Sequence, residues 1–283
     1  MKSRNSNTAV KIGIFDSGIG GLSVVRATHE LLPGLDIIYV ADQAHVPYGR
    51  RQMTEIRSFS EQITRFLLAQ GVDLVVVACN TASAAALKYL RQTFPSLPIV
   101  GMEPAVKPAS QQSLTRAVGI LATPATFQGE LYQSLVHKYG EGLQIYQDTC
   151  AGLVEEIEAG HLKGSNTRHI LEMALEPMLA NKVDTIVLGC THYPFVLSLL
   201  REIAGDKIQV IDPAPAVARR VGTLLKSEFD YQDHPDKKAS FNFFTSAAPI
   251  LFQYQIDTLL GYQGEIQKLI WKNEDGLEIE TKE

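Results

Sequence analysis

From Lys11 onward, short and nearly continuous apolar runs alternate with longer stretches in which apolar residues recur every three or four positions. The first pattern predicts strands buried on both faces, the second amphipathic helices. Lys11-Ile-Gly-Ile-Phe15 reads as a strand that ends at Asp16-Ser17-Gly18-Ile19-Gly20-Gly21, a glycine-rich turn before a helix over 22–32. Residues 37–40 predict a second strand, and 53–70 carry helical spacing at Ile56, Phe59, Ile63, Phe66 and Leu67. A strand at 74–78, a helix at 81–93 and a strand at 97–100 follow. Strands alternating with helices in this way argue for an α/β fold with parallel sheets.

The pattern then restarts. Ala117-Val-Gly-Ile-Leu121 echoes 11–15, with Thr123-Pro124 where Ser17-Gly18 stood. Val72-Asp73 through Cys79 is echoed by Val183-Asp184 through Cys190 at a constant offset of 111 positions, which holds to Pro104-Ala105-Val106 against Pro215-Ala216-Val217. Two similar α/β halves are expected, meeting near residues 100–105 and 211–216. The first domain is then 1–102 with 214–283, and the second 103–213. Past residue 240, a strand-like run at 240–245 and a helix around 249–260 are expected to pack on the first half. The mostly charged 272–283 should fray.

Composition narrows the class. The 283 residues include 45% hydrophobic and 20% charged ones, an ordinary globular balance. A formal net charge of −5 argues against a dominant nucleic-acid or anionic-membrane surface. The apolar runs fall far short of the roughly 20 residues of a membrane span, and the polar first ten residues lack a signal-peptide core. Three cysteines are too few, and an odd number, for a disulfide scaffold. A cytoplasmic protein with reduced thiols is expected.

The sharpest chemical signal is the pair Cys79-Asn80-Thr81 and Cys190-Thr191-His192. Each cysteine stands at the carboxyl end of a predicted buried strand, one step before a helix, the edge where open α/β sheets bind ligands. Helix N-terminal amides there favour a thiolate. Asn80 or Thr81, and Thr191, are placed to cap those helices, and Pro194 suits a first helical turn. If the halves face each other, a thiol flanks a bound molecule on each side. One thiolate and one thiol then take a proton from one face of a carbon and return one to the other. The weak acidity of an amino-acid Cα–H demands a dry site with aimed donors.

The 16–21 turn is neither the dinucleotide fingerprint nor a P-loop, but its N–H groups suit a carboxylate, and Asp16 suits a substrate ammonium or the nearer thiol. Pro47-Tyr48-Gly49, with His45 and Arg50 beside it, is a candidate substrate loop or a plain turn. His192 is placed to polarise Cys190, relay a proton or cap a helix. Metal binding by Cys79, Cys150, Cys190 and His192 lacks C-x-x-C or H-x-x-x-H spacing. Cys150 has no partner in the repeat and reads as structural. Glu155 reads as a first-turn helix carboxylate near the cleft or, as spacing alone favours, a solvated helix-face one.

Four motifs, 15–24, Pro47-Tyr48-Gly49, 77–83 and Leu188-Gly189-Cys190-Thr191-His192-Tyr193-Pro194, resemble in order those of glutamate racemases in the aspartate/glutamate racemase superfamily. The resemblance spans residues 11–260. It implies two Rossmann-like α/β domains related by pseudo-two-fold symmetry with the active site in the cleft, and L-/D-glutamate interconversion supplying D-glutamate for peptidoglycan. It implies no cofactor, neither pyridoxal phosphate nor metal, and a homodimer. Cys79 matches the base for the D isomer and Cys190 that for the L isomer, assisted by Asp16 and His192 respectively. Asp16, Ser17, Pro47, Tyr48, Gly49, Asn80, Thr81, Thr191 and His192 match substrate contacts. Glu155 matches a position linked to catalysis or closure, although Cys150-Ala151-Gly152 stands where many members have Cys-Pro. The 103–109 segment resembles members that need UDP-N-acetylmuramoyl-L-alanine as activator. Three other readings stay open: a superfamily member acting on aspartate, a hydantoin or a malonate derivative; a two-lobed binding protein; and a regulator of a DNA-processing enzyme.

Overall fold

The computed structural model describes residues 10–262, 266–272 and 276–280. The chain begins β1 (Lys11–Asp16), α1 (Leu22–Leu31), β2 (Asp36–Ala41), a 3₁₀ turn (Tyr48–Arg50), α2 (Met53–Ala69), β3 (Leu74–Val77), α3 (Asn80–Thr93) and β4 (Ile99–Gly101). It continues with α4 (Val106–Gln112), β5 (Ala117–Ala122), α5 (Pro124–Gln128), α6 (Glu130–Tyr139), β6 (Gln144–Asp148), α7 (Leu153–Glu158) and α8 (Ser165–Ala180). Then come β7 (Thr185–Gly189), a 3₁₀ turn (Tyr193–Val196), α9 (Leu197–Ala204), β8 (Gln209–Ile211) and α10 (Ala214–Phe229). The last elements are β9 (Phe241–Thr245), α11 (Pro249–Leu260), β10 (Ile266–Lys272) and β11 (Gly276–Ile279).

Two sheets organise these elements, one per lobe. The larger has the order β11-β10-β9-β2-β1-β3-β4 and the smaller β6-β5-β7-β8. The series β2-β1-β3-β4 and β6-β5-β7-β8 are the same arrangement, all parallel. This is the structural form of the sequence repeat. The repeated aspartates share a task at the amino ends of the central strands. Asp73 accepts from the Lys11 amide at 3.0 Å, and Asp184 accepts from the Leu114 and Thr115 amides at 2.7 and 2.8 Å. Each carboxylate pins the start of its sheet, so the strand ends beyond it are fixed in register.

The central strands are buried on both faces, as their continuous apolar character requires. Ile12 and Ile14 of β1 point into one apolar cluster and Phe15 into another. The first cluster runs without a break to Leu188 and Tyr193, so the two lobes share hydrophobic core. Because cores pack at crystal-like density, that continuity transmits displacement between lobes.

The C-terminal segment returns to the larger lobe, where β9 pairs in parallel with β2 and α11 packs near α1. One expectation needs correction: part of the charged tail forms a strand, β11, paired antiparallel with β10. Leu277 packs against the apolar cluster beneath α2, and Leu269 is buried within it. Residues 273–275 and 281–283 lie outside the described residues.

Candidate active site

Cys79 and Cys190 follow β3 and β7, the equivalent strands beside the two central ones. Both are free thiols, 5% and 6% exposed. The expected caps differ from those found. Cys79 itself caps α3, its sulfur accepting from the Ala82 amide at 3.4 Å, and Asn80 is already helical. After Cys190 the chain makes a 3₁₀ turn carrying Pro194 before α9 begins, and no side chain caps that turn. Proline without an N–H fits this tight start.

Each thiol has a different polar companion. The Ser17 hydroxyl lies 4.0 Å from Cys79 Sγ and 3.2 Å from Asp16 Oδ1. Burial first, and the Asp16 carboxylate second, push the Cys79 thiol well above the ordinary range. Cys190 Sγ instead lies 3.8 Å from His192 Nδ1, and His192 Nε2 lies 2.7 Å from Glu158 Oε1. Burial acts to lower the His192 pKa, but Cys190 and Glu158 outweigh it and hold the imidazole well above its usual value. The two sulfurs therefore have unlike neighbours, a carboxylate near Cys79 and an imidazole beside Cys190.

The glycine-rich turn has a use that its composition does not disclose. Its amides serve carboxylates of the protein: Ser17 N and Gly21 N donate to Asp16 at 2.6 and 2.5 Å, and Ile19 N donates to Glu158 at 2.8 Å. Gly18 and Gly20 are glycine because side chains of the other lobe occupy the space a Cβ would fill. A Cβ at Gly18 would stand 1.8 Å from Glu158 Oε1, and one at Gly20 2.4 Å from His192 Nδ1. Asp16 is fully buried, and burial first pushes its pKa up, against the pull of His192.

The lobes close over these groups. The Thr191 hydroxyl donates to Asp16 Oδ2 at 3.2 Å, and the hydroxyls of Thr81 and Thr123 meet at 2.8 Å. Ser17, Tyr48, Asn80, Thr81, Thr191 and His192 are all buried, while Pro47 and Gly49 are partly exposed. Both amide atoms of Asn80 are buried without a hydrogen-bond partner, a cost of about 1–3 kcal/mol each that a polar ligand would relieve. Beside the site, Pro47, Gly49, Thr123, Cys150, Glu155 and Tyr193 line a cavity of about 70 Å³.

Glu155 occupies the first turn of α7, as expected, but pairs with Arg50 at 2.5 Å at the rim of that cavity. The carboxylate on His192 belongs to Glu158, three residues further on, a residue sequence reasoning passed over. Glu158 is anchored by Gln43 Nε2 at 3.1 Å to Oε2 and by Gln255 Nε2 at 2.6 Å to its carbonyl oxygen. The i, i+3 spacing of Glu155 and Glu158 on a six-residue helix was the available signal. Cys150 is buried, at a positive φ of 44°, with its amide held by Asp148 at 2.7 Å. Among the described residues no cluster of three or more His, Cys, Asp or Glu is arranged to hold a metal, and no helix is long and apolar enough to cross a membrane.

The comparisons agree with this architecture. Residues 13–221 match the family model described as Asp/Glu/Hydantoin racemase. A glutamate racemase of Roseiflexus sp. is 48% identical over 78% of this chain and 82% of its own. One from Pseudomonas paraeruginosa is 44% identical over 91% and 97%. The crystal structure of Escherichia coli glutamate racemase in complex with L-glutamate and the activator UDP-MurNAc-ala superposes with a TM-score of 0.80 at 32% identity, covering 92% of this chain and 98% of that one. A family model that spans both lobes, and relatives that align over most of their own length, leave one assignment: the chain belongs to the Asp/Glu/Hydantoin racemase family and is an amino-acid racemase, an isomerase.

Proposed function

We propose that the protein interconverts L- and D-glutamate by proton transfer between Cys79 and Cys190 across one Cα, supplying D-glutamate for peptidoglycan in the cytoplasm. The observation that carries this reading is the pair of buried cysteines at equivalent strand ends of two facing lobes. The substrate assignment rests on relatives whose names are glutamate racemase.

One thiolate removes the Cα proton, leaving the electron pair on carbon. The opposite thiol donates its own proton to the other face, so the stereocentre inverts and the two sulfurs exchange states. Burial and the Asp16 carboxylate favour the protonated thiol at Cys79, while Cys190 Sγ has the His192 imidazole 3.8 Å away to assist it. Ser17, Asn80, Thr81 and Thr191, with the Pro47-Tyr48-Gly49 loop, are the proposed substrate contacts. Since Ser17, Tyr48, Asn80, Thr81 and Thr191 are buried, glutamate enters when the lobes part, and their closure excludes the water that would compete for the carbanion's stabilising hydrogen bonds. No organic cofactor or metal takes part in this scheme. The reading includes domains of 1–102 with 214–283 and of 103–213, a homodimer, and activation by UDP-N-acetylmuramoyl-L-alanine.

The test is incubation of purified protein with L-glutamate in deuterium oxide without added cofactor, with L-aspartate in parallel. Circular dichroism should show racemisation of glutamate with deuterium entering Cα, and Cys79→Ser and Cys190→Ser should each lower turnover by about 10³-fold or more. Faster turnover of aspartate would reassign the substrate. Near-normal turnover by either variant would remove that thiol from the mechanism.

A further inference from the structure

Asp42, immediately after β2, is a carboxylate 1% exposed that lies between the glycine-rich turn and the Pro47-Tyr48-Gly49 loop in sequence. Its side chain collects donors from two distant parts of the chain. The Tyr48 hydroxyl donates to Oδ2 at 2.6 Å, and His45 Nδ1 lies 2.9 Å from the same oxygen. The Ser246 hydroxyl donates to Oδ1 at 2.7 Å, and the Trp271 indole Nε1 donates to Oδ1 at 2.8 Å. His45 and Tyr48 belong to the loop that carries Pro47-Tyr48-Gly49. Ser246 follows β9, and Trp271 lies on β10.

Further contacts tighten this junction. Ser246 Oγ also accepts from the Ala44 amide at 2.9 Å. The His45 ring stacks on Phe59 at 4.1 Å and meets Trp271 edge-on at 5.0 Å. The backbone amide of Asp42 donates to the carbonyl oxygen of Asp16 at 3.0 Å, which ties the junction directly to the strand end beside Cys79. A buried carboxylate met by several charge-assisted donors is rigid, because each lost donor leaves a lone pair dry and unpaired.

We propose that Asp42 is a positioning residue: it clamps the Pro47-Tyr48-Gly49 loop to β9 and β10, so that the C-terminal strands set how firmly the first lobe grips the substrate. This rests on the reading of that loop as a substrate contact. It gives the segment after residue 240 a role in catalysis through Ser246 and Trp271, neither of which reaches the cysteines. Trp271 and Ser246 are the useful probes, since each variant removes one donor and leaves Asp42 with the others.

The experiment compares wild type with Trp271→Phe, Ser246→Ala and the double variant, all as the full chain. Hydrogen–deuterium exchange of the segment 45–51, which excludes the Ala44 amide that bonds Ser246 directly, should quicken by about threefold or more in each single variant and by about tenfold or more in the double, while peptides covering β1 and β7 stay unchanged. KM for glutamate should rise by similar factors, with kcat within about twofold of wild type. Unchanged loop exchange in both single variants overturns the clamp, as does faster exchange with KM unmoved. A fall in kcat at constant KM, together with a lower Tm, assigns Asp42 a purely structural part and also overturns the proposal. Loop exchange is measured without substrate, so it decides the clamp even if wild type fails to turn over glutamate, an outcome that would sink the substrate reading alone.

Discussion

The α-carbon of Gly18 faces Glu158 so closely that a methyl group there would stand 1.8 Å from Oε1. The glycine lies on the larger lobe and the carboxylate on the smaller, so the approach is made across the cleft between them. Gly18→Ala should therefore fold but close badly. We expect kcat/KM to fall by about 100-fold or more, because misplacement of catalytic groups by about 1 Å is that costly. The far-ultraviolet circular dichroism should match wild type. Near-normal kinetics would show that the lobes do not need this approach.

Two carboxylates of one short helix should separate cleanly in function. Glu158→Gln removes the charge that holds His192 beside Cys190, and kcat should drop by about 100-fold. Glu155→Gln removes a rim ion pair whose partners are 39% and 67% exposed, and such pairs contribute little, so its kcat should stay within about threefold. The reverse ranking would return the assisting role to Glu155.

The unequal neighbours of the two sulfurs predict unequal reactivity. Thiolates, not thiols, attack iodoacetamide. At neutral pH and limiting reagent, peptide mapping should find Cys190 alkylated well ahead of Cys79, and bound glutamate should protect it. Equal labelling would deny the resting asymmetry. Preferential labelling of Cys79 would invert it.

The raised pKa of His192 also makes a stability prediction. A histidine whose folded-state pKa exceeds its unfolded value of about 6.5 stabilises the fold fully below that pH, and the contribution disappears as pH rises through the folded value. Tm should decline on the alkaline side of neutrality, and His192→Asn should flatten that decline. An unchanged slope would assign the alkaline loss to other groups.

Much of this was legible in the chain before its structure. The strands announced themselves because a parallel strand covered on both faces leaves no room for polar positions, as in Leu74–Val77 and Thr185–Gly189. The cysteines stood out because the repeat placed them alike. Glu158 did not, since a glutamate on a short helix resembles a solvated one until tertiary packing sets it beneath His192. Gly18 and Gly20 were visible as turn residues, yet the reason for them lies on the other lobe. Asp42 gave no signal either, its partners Ser246 and Trp271 being about 200 residues distant in sequence. The charged tail misled for a related reason: β11 is largely polar outward and contributes only Leu277 to the core beneath α2.

The chain leaves the larger sheet after β4, builds the whole smaller sheet, and comes back through α10, which packs against β4 and α1. The smaller lobe is thus hung from two neighbouring crossings, like a door on paired pins. Such a suspension suppresses twisting and sliding while leaving a swing about one axis. Under the proposed scheme, a swing about that axis would bring Cys190 back to one place relative to Cys79, and proton transfer across a single carbon would depend on that repeatability.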